Sequence, residues 1–328
     1  MDKLLVIKHA QVQGANAIAG LTWGFPAMTS FLGFTHALQR KVQQKISTDI
    51  VLKGCAVICH SSQVQSYNNN MSRENYFALT RNPLVLKGKE AVTAPFNEEG
   101  KMRMDVSVLI LVSSKEDDGY IEPDDLDDFA EFVPQMIAPM RLAGGIIESI
   151  EAVEVVRDAG SMKRDDKARK QFLRQFLPGF ALVSRHDVLQ AHAEQTQQPL
   201  MEAWLDFSAR KMRSDAPAQE GDKSKWEVER PEFSGWLKPI MIGYQGISEL
   251  YDPGCVGHVR DRGVPVQFVE SIYSLGQWIS PHRIKDIEHL LWTQSYDAER
   301  SLYLCNNTYQ PDISVLLMND DTVTSEEN

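Results

Sequence analysis

Strand-spaced and helix-spaced segments both recur in this 328-residue sequence, and together they predict an α+β fold, a sheet face with helices laid on it. Three observations carry that expectation. Residues 101–114 alternate apolar side chains over the length of a whole strand, and Phe31, Phe34, Leu38 and Val42 repeat at the 3.6-residue period of a helix. Further helical spacing runs from 164 to 212, between stretches that read as sheet. With 43% hydrophobic residues, the chain can build one large domain with an insertion or two unequal lobes.

Taken in order, residues 4–12 read as a first strand, followed by a loop over 14–27. Ser30 is placed to cap the next helix, because a serine oxygen accepts from the free N–H groups of a first turn. Residues 49–60, with Ile50, Leu52 and the run Ala56-Val57-Ile58, form a second expected strand. In 101–114, Met102, Met104, Val106, Val108, Ile110 and Val112 share one face; Arg103, Asp105 and Ser107 take the other until Leu109 and Leu111 make it apolar again. The polar stretch 61–100, with Asn68-Asn69-Asn70, is too long for a hairpin turn, and loops of that length are functional or disordered. Residues 146–156 are another strand candidate. Helices are expected over 164–177 (Ala168, Phe172, Phe176) and 186–212 (Val188, Leu189, Leu200, Trp204, Phe207). Residues 213–225 have a linker's composition, and strands resume at 236–242 and 265–269. Ser280-Pro281 then signals a helix start, with Ile284, Ile287 and Leu291 as its stripe.

The net charge of −11 disfavours a polyanionic partner, but its distribution does not. Nine acids and one base lie between 115 and 131, and five acids with no base between 312 and 328; the remaining body holds 31 acidic and 33 basic residues. The acidic runs read as a solvated helix face and a frayed tail, or as a repulsive wall or a contact for a basic partner. No run of 18 apolar residues occurs and the N-terminal apolar run is too short for a signal sequence, so a soluble, cytoplasmic protein with no membrane association is expected. Cys55, Cys59, Cys255 and Cys305 show no Cys-x-x-Cys spacing and are expected as reduced, mostly buried thiols. Cys55, Cys59 and His60 lack a fourth metal ligand, and two residues four apart on a strand sit about 13 Å from each other. Cys255 with His258 has no identifiable orienting partner. No metal or other cofactor is therefore expected. Metal-free RNA cleavage would need a general acid or base such as His36, His60 or His282, each of which also reads as a packed or capping residue.

What remains is cations and flat rings beside bendable backbone, in five islands: 22–26, 80–83, 140–145, 260–262 and 276–283. Arg260 and Arg262 would share one face of an extended segment and could follow two phosphates, or pair locally with acids. His282 and Arg283 fall in the first turn of the expected helix, where a bound anion, or a salt bridge to Asp261 or Glu270, would relieve the crowding of positive charge. Trp23, Phe25 and Trp278 could stack on unpaired bases or pack in the core. Arg141 ahead of Gly144-Gly145 sets a cation beside backbone that can approach phosphate, or marks a plain turn. The expected helix 163–174 carries Lys163, Arg164, Lys167, Arg169, Lys170 and Arg174 against Asp165 and Asp166, a face for a nucleic-acid backbone or for solvent. With no activated nucleophile and no complete metal set, the pattern is a binder's.

The same islands resemble a known family, the Cas five (Csy two) subunit of the type I-F CRISPR Cascade, or Csy surveillance, complex. The matching stretches are Asn16-Ala17-Ile18 with Leu21-Thr22-Trp23-Gly24-Phe25-Pro26, Gly33-Phe34-Thr35-His36-Ala37-Leu38-Gln39-Arg40, Leu79-Thr80-Arg81-Asn82-Pro83-Leu84, Met140-Arg141-Leu142-Ala143-Gly144-Gly145, and 177–185. Gly235-Trp236-Leu237 through Gly243-Tyr244, and Arg260-Asp261-Arg262 through Leu290-Leu291-Trp292, complete a series whose order holds from about residue 10 to 305. The resemblance implies an RRM-like (ferredoxin-like) body over 1–120 and 226–310, with 61–100 as a thumb, and a helical insertion over 121–225 that includes the linker; the acidic stretch 115–131 and the acidic tail over 311–328 match no motif of the family. It implies a non-catalytic role in which the subunit holds the 5′ handle of the crRNA together with the large Cas eight (Csy one) subunit. The subunit then abuts the first Cas seven (Csy three) backbone protomer, in a complex of an antiviral defence system or of a transposon-encoded variant, whose guide reads foreign double-stranded DNA. The expected handle contacts are Asn16, Trp23, Arg141, Gly144, Arg260, Arg262, His282 and Arg283, with Arg81 at the thumb base. A metal-independent crRNA-processing endoribonuclease and a protein-only scaffold are the alternatives.

Overall fold

A computed structural model describes residues 3–68, 75–81, 84–116, 120–214, 226–229, 231, 236–259, 261–309 and 311. Strand β1 (Lys3–Asn16) runs further than expected and leads into a small hairpin of β2 (Ile18–Ala19) and β3 (Thr22–Trp23), so much of the expected loop is extended chain. Helix α1 (Met28–Lys45) starts upstream of Ser30; Ala27 is its N-cap and no side chain caps it. Met28 is 1% exposed, and its burial carries the first turn past the capping signal. The stripe of Phe31, Phe34, Leu38 and Val42 is buried as its spacing requires.

Strand β4 (Ile50–Val64) follows. The 61–100 segment then forms short strands β5 (Ser66–Tyr67), β6 (Tyr76–Thr80), β7 (Val85–Lys87), β8 (Glu90–Val92) and β9 (Asn97–Glu99). Three of them, β5, β6 and β9, pair with one another, and β7 pairs with β8, all apart from the main sheet. Strand β10 (Lys101–Ser114) has the expected span. On the acidic helix α2 (Pro123–Ile137), Leu126, Phe129 and Val133 are buried while Asp124, Asp127, Asp128 and Glu131 face solvent, with Asp124 and Asp125 favourably placed in the first turn.

The single strand expected over 146–156 is two. After the short β11 (Arg141–Leu142), β12 (Gly145–Ser149) and β13 (Ala152–Val156) both pair antiparallel with β1. The helix expected over 164–177 is also divided, into α3 (Ser161–Arg164) and α4 (Asp166–Arg174), because Asp165 turns extended and its carboxylate accepts from the N–H groups of Lys167 and Ala168 as the second helix's cap. Strand β14 (Phe180–Ser184) escaped the sequence reading. The expected helix 186–212 splits into α5 (His186–Thr196) and α6 (Leu200–Ser208): Gln197 takes a left-handed φ of 54° and Pro199 caps the second piece. Strand β15 (Lys211–Ser214) pairs with β16 (Trp226–Glu229), so the expected linker begins inside a strand and the rest of it lies outside the described residues. Residues 121–225 are therefore helical only in part, since β11, β12, β13 and β14 belong to the main sheet.

Strands β17 (Leu237–Gly246) and β18 (Val269–Ile279) pair along their lengths, and the strand expected at 265–269 starts where that reading ended it. The α-helix expected after Ser280 does not form. Pro281–Arg283 is one 3₁₀ turn, Ile284 is extended, and a second 3₁₀ turn spans Ile287–Leu290 with Asp286 as its cap. Ile284, Ile287 and Leu291 are buried all the same, so two short turns satisfy the stripe that suggested a helix. Strands β19 (Trp292–Asp297) and β20 (Leu302–Asn307) complete the described structure; the acidic residues 312–328 lie outside it.

The main sheet has the order β11-β12-β1-β10-β4-β14-β18-β17-β20-β19, with β13 also on β1 and a pairing of Trp292 with Cys55 that brings β19 back to β4. One face packs on α1 and α2 through Phe31, Leu38 and Phe129. The other packs on α3, α4 and the two 3₁₀ turns through Leu173, Phe176 and Leu290. Strand β10 serves both: Met102, Met104, Val106, Val108, Ile110 and Val112 face the first core and Leu109 the second, as the alternation requires.

Candidate nucleic-acid interface

Where β1 ends, three parts of the chain meet. The backbone N–H of Asn16 donates to Ala143 O at 2.8 Å, Ala17 N–H to Gly100 O at 2.8 Å, and Gly24 N–H to Ala17 O at 2.8 Å. Asn16, the β2–β3 hairpin, the β11–β12 turn and the base of the 61–100 segment are thereby tied together. The β11–β12 turn needs left-handed backbone at both central positions, Ala143 (φ 50°) and Gly144 (φ 78°), as a two-residue hairpin of its type does. Gly144 is exposed with open space above it. A Cβ on Gly145 would instead lie 2.7 Å from both Ala15 N and Gln13 O, so this glycine lets the hairpin seat on β1. The turn that Gly144-Gly145 could mark is thus the two-residue turn of a β-hairpin that follows α2.

Trp23 is 54% exposed and meets Phe77 edge-on at 5.8 Å. Its hairpin is held on β18 by Leu21 N–H, which donates to the Tyr273 hydroxyl at 2.9 Å. Phe25 and Trp278 are not free platforms: Phe25 is 5% exposed, stacks on Phe31 at 5.8 Å and takes the Trp278 edge at 4.9 Å. The Asn16 amide is engaged locally, donating to Ile18 O and accepting from Ile18 N–H. Arg141 is exposed, and no described residue pairs with it. Further out, Arg81 lies over the Phe96 ring at 4.5 Å and donates from Nε to Ala94 O at 3.2 Å. Sequence reading missed Lys238, on β17 beside Gly24, whose Nζ sits 5.7 Å from the Phe25 ring centre. Burial pushes its pKa down to about 8, with Cys59 acting weakly the other way. An anion at this point would restore the ammonium, as opposite charge favours the charged form.

Three other expected contacts flank β18. Arg262 is exposed in the loop between β17 and β18, beyond the Gly246–Val269 pair, whereas His282 and Arg283 follow the opposite end of β18. Ten residue steps of strand separate those ends, roughly 33 Å. Asp261 accepts from Gly263 N–H rather than meeting His282, and His282 Nδ1 lies 2.8 Å from Ser280 Oγ. The α-helix whose N-terminus was expected to hold an anion here is one 3₁₀ turn instead. These two residues adjoin α4, where Lys170 pairs with Asp166 at 2.6 Å and the buried Arg169 pairs with the same carboxylate, so part of the expected basic face is neutralised. Arg260, Asn82 and Pro83 lie outside the described residues.

The cysteine readings are settled by burial. Cys55 and Cys59 are pushed up to about 12 and about 11 by burial, and both belong to the core facing α1. His60 points to the opposite face, so the three never form a ligand set. Cys255 is exposed and Cys59 only half-buried, so two of the four free thiols, not most, are buried.

A family model described as CRISPR-associated protein (Cas_Csy2) matches residues 5–305. CRISPR-associated protein Csy2 from Pseudomonas aeruginosa (strain UCBPP-PA14) is 38% identical over 319 residues, covering 92% of this chain and 94% of that protein. A match of that extent, through both cores and the root of the 61–100 segment, means that the chain belongs to the Csy2 family of CRISPR-associated proteins of the type I-F system.

Proposed function

We propose that the chain is a non-catalytic, crRNA-binding subunit of the type I-F Cascade complex, gripping the 5′ handle where β1 meets the 61–100 segment. Its partners in this reading are the large Cas eight (Csy one) subunit, the first Cas seven (Csy three) protomer and, through the guide, foreign double-stranded DNA. The observation that supports the reading is the Asn16-to-Ala143 tie, because the segments it joins carry the exposed Trp23 ring, the open Gly144 backbone and the exposed Arg141 cation. A ring for a splayed base, a bare backbone and a cation for phosphate are what single-stranded RNA ends require.

An RRM-like body is part of the proposal. β1, α1, β4, β10, α2 and β12 follow a βαββαβ order, and the sheet order β12-β1-β10-β4 is that of a ferredoxin-like unit. Among the described residues no helix is long and apolar enough to cross a membrane. The test is co-purification of the chain with its complex, before and after RNase, with sequencing of bound RNA. Handle-containing RNA lost on Arg141→Ala and Trp23→Ala supports the reading. Assembly indifferent to RNase points to a protein-only scaffold, and cleavage of a repeat hairpin by the purified chain to an endoribonuclease; either result overturns it.

A further inference from the structure

We propose that His9, His60 and Asp105, with Glu151 as fourth donor, form a binding site for one zinc-class divalent ion that pins β1, β10 and β4 together beneath the root of the 61–100 segment. The three principal donors come from three adjacent strands, and their ligating atoms lie within 4.8 Å of one another. His9 reaches the group through a bulge. Ile7 pairs with Val108 and Ala10 with Val106, so Lys8 and His9 together oppose Ser107. Strict alternation would send His9 to the side of Ile7, toward α1. The extra residue, with His9 at φ 46°, turns the ring to the side of Asp105 and Ser107 instead. A non-glycine residue in that region costs on the order of 1 kcal/mol or more and persists where its surroundings hold it.

The surroundings do hold it. His9 Nδ1 lies 3.0 Å and 3.1 Å from the two Asp105 oxygens, His9 N–H donates to Ser107 Oγ at 3.1 Å, and the Glu151 carboxylate is 4.0 Å from His9 Nε2. His60 Nδ1 is 2.8 Å from Pro178 O, which can only accept; the proton therefore sits on Nδ1 and leaves the Nε2 lone pair facing the cluster, 2.7 Å from Ser107 Oγ. A backbone carbonyl fixing the tautomer of an imidazole is the outer-shell arrangement of metal-binding histidines. Gly179 permits it, because a Cβ there would lie 2.8 Å from His60 Nδ1.

Bonds of about 2.0–2.1 Å in a tetrahedron place donors about 3.3 Å apart, so binding opens the stacked His9 and His60 rings and draws Glu151 inward. The rings are 3.9 Å apart and already splayed by 27°, and the Glu151 side chain is 67% exposed and free to swing. Two imidazoles and two carboxylates favour a zinc-like ion over magnesium or a soft cuprous ion, and four protein donors make a closed, structural site. Its place suits that role: Asp105 lies four residues from where β10 begins at Lys101, and His60 four from where β4 ends at Val64.

The test uses the untagged full chain, stripped with a chelator and titrated with Zn²⁺ in a calorimeter, with native mass spectrometry for stoichiometry and Co²⁺ absorption for ligand type. One ion per chain is expected, with affinity falling on the order of 100-fold in His60→Asn and Asp105→Asn and about 10-fold in Glu151→Gln, whose exposed position leaves the fold intact. Cys55→Ser and Cys59→Ser should bind as the wild type does, and Co²⁺ should show no thiolate charge-transfer band. No stoichiometric uptake by the wild type, unchanged affinity in both Asp105→Asn and Glu151→Gln, or a thiolate band would each overturn the proposal.

Discussion

Replacing Lys238 with methionine keeps the aliphatic stem of the residue and removes a charge that the fold holds at a cost. Burial lowers the lysine from 10.5 to about 8, a displacement worth roughly 3 kcal/mol of destabilised ammonium at neutral pH. Against that, the substitution gives up the contact with the Phe25 ring, about 0.5–1 kcal/mol at a partly exposed position. Residual solvent at the site reduces the first figure, so a net gain of about 1–2 kcal/mol at pH 7 is expected for Lys238→Met. The pH dependence has a definite sign. Unfolded lysine keeps its proton up to about pH 10.5 while the folded residue releases it near 8, so between those values the unfolded state binds more protons and wild-type stability rises with pH. The variant lacks that rise. Urea unfolding of both proteins at pH 7 and pH 9.5 measures it: the variant should be the more stable at pH 7, with the gap narrowing at pH 9.5. RNA affinity should move the other way, with the salt slope reduced by about one for a lost phosphate contact. A variant less stable than wild type at pH 7, together with a wild-type stability flat from pH 8 to 9.5, would refute the assigned environment of Lys238.

Arg141→Ala should weaken binding of handle RNA and lower its salt slope by about one, as for one lost phosphate contact; filter binding over a salt series measures it. Trp23→Ala should cost about 1–3 kcal/mol in RNA affinity through lost stacking, read by competition binding, while the melting temperature changes little because the ring is already largely exposed. Gly145→Ala should destabilise by about 1–3 kcal/mol, since its Cβ meets β1 backbone atoms that cannot yield, and Gly144→Ala by about 1 kcal/mol from its left-handed φ alone; urea midpoints separate the two.

Period and composition sufficed wherever burial on one element sets the pattern. The 101–114 strand kept its span because both of its faces are covered, and the α1 stripe is buried at each of its four positions. Boundaries failed where a local signal has two structural outcomes. Ser-Pro opens a 3₁₀ turn as readily as a helix, and Asp165, placed inside an expected helix, caps a second one instead. The short strand β14 was hidden for another reason: Ala181-Leu182-Val183 is buried on both faces and shows no alternation to read. At the candidate interface, Trp23, Arg141 and Gly144 were legible as residue types, but the joining of their segments was not, since it rests on backbone hydrogen bonds from Asn16 to Ala143 and from Gly24 to Ala17.

By itself the chain determined its α+β class, the positions of its most periodic elements and, through its ordered motifs, its family. Only the tertiary structure decided that the Trp23 hairpin and the Gly144 turn are tied to the end of β1, that Lys238 lies beside Gly24, that Arg262 and His282 flank opposite ends of β18, and that a single bulge brings His9 to Asp105 across 96 residues of sequence. Local spacing records which face a residue takes within its own element. Which elements become neighbours, and where a strand slips by one residue, is set by pairing between distant segments, and no short window of sequence contains that information.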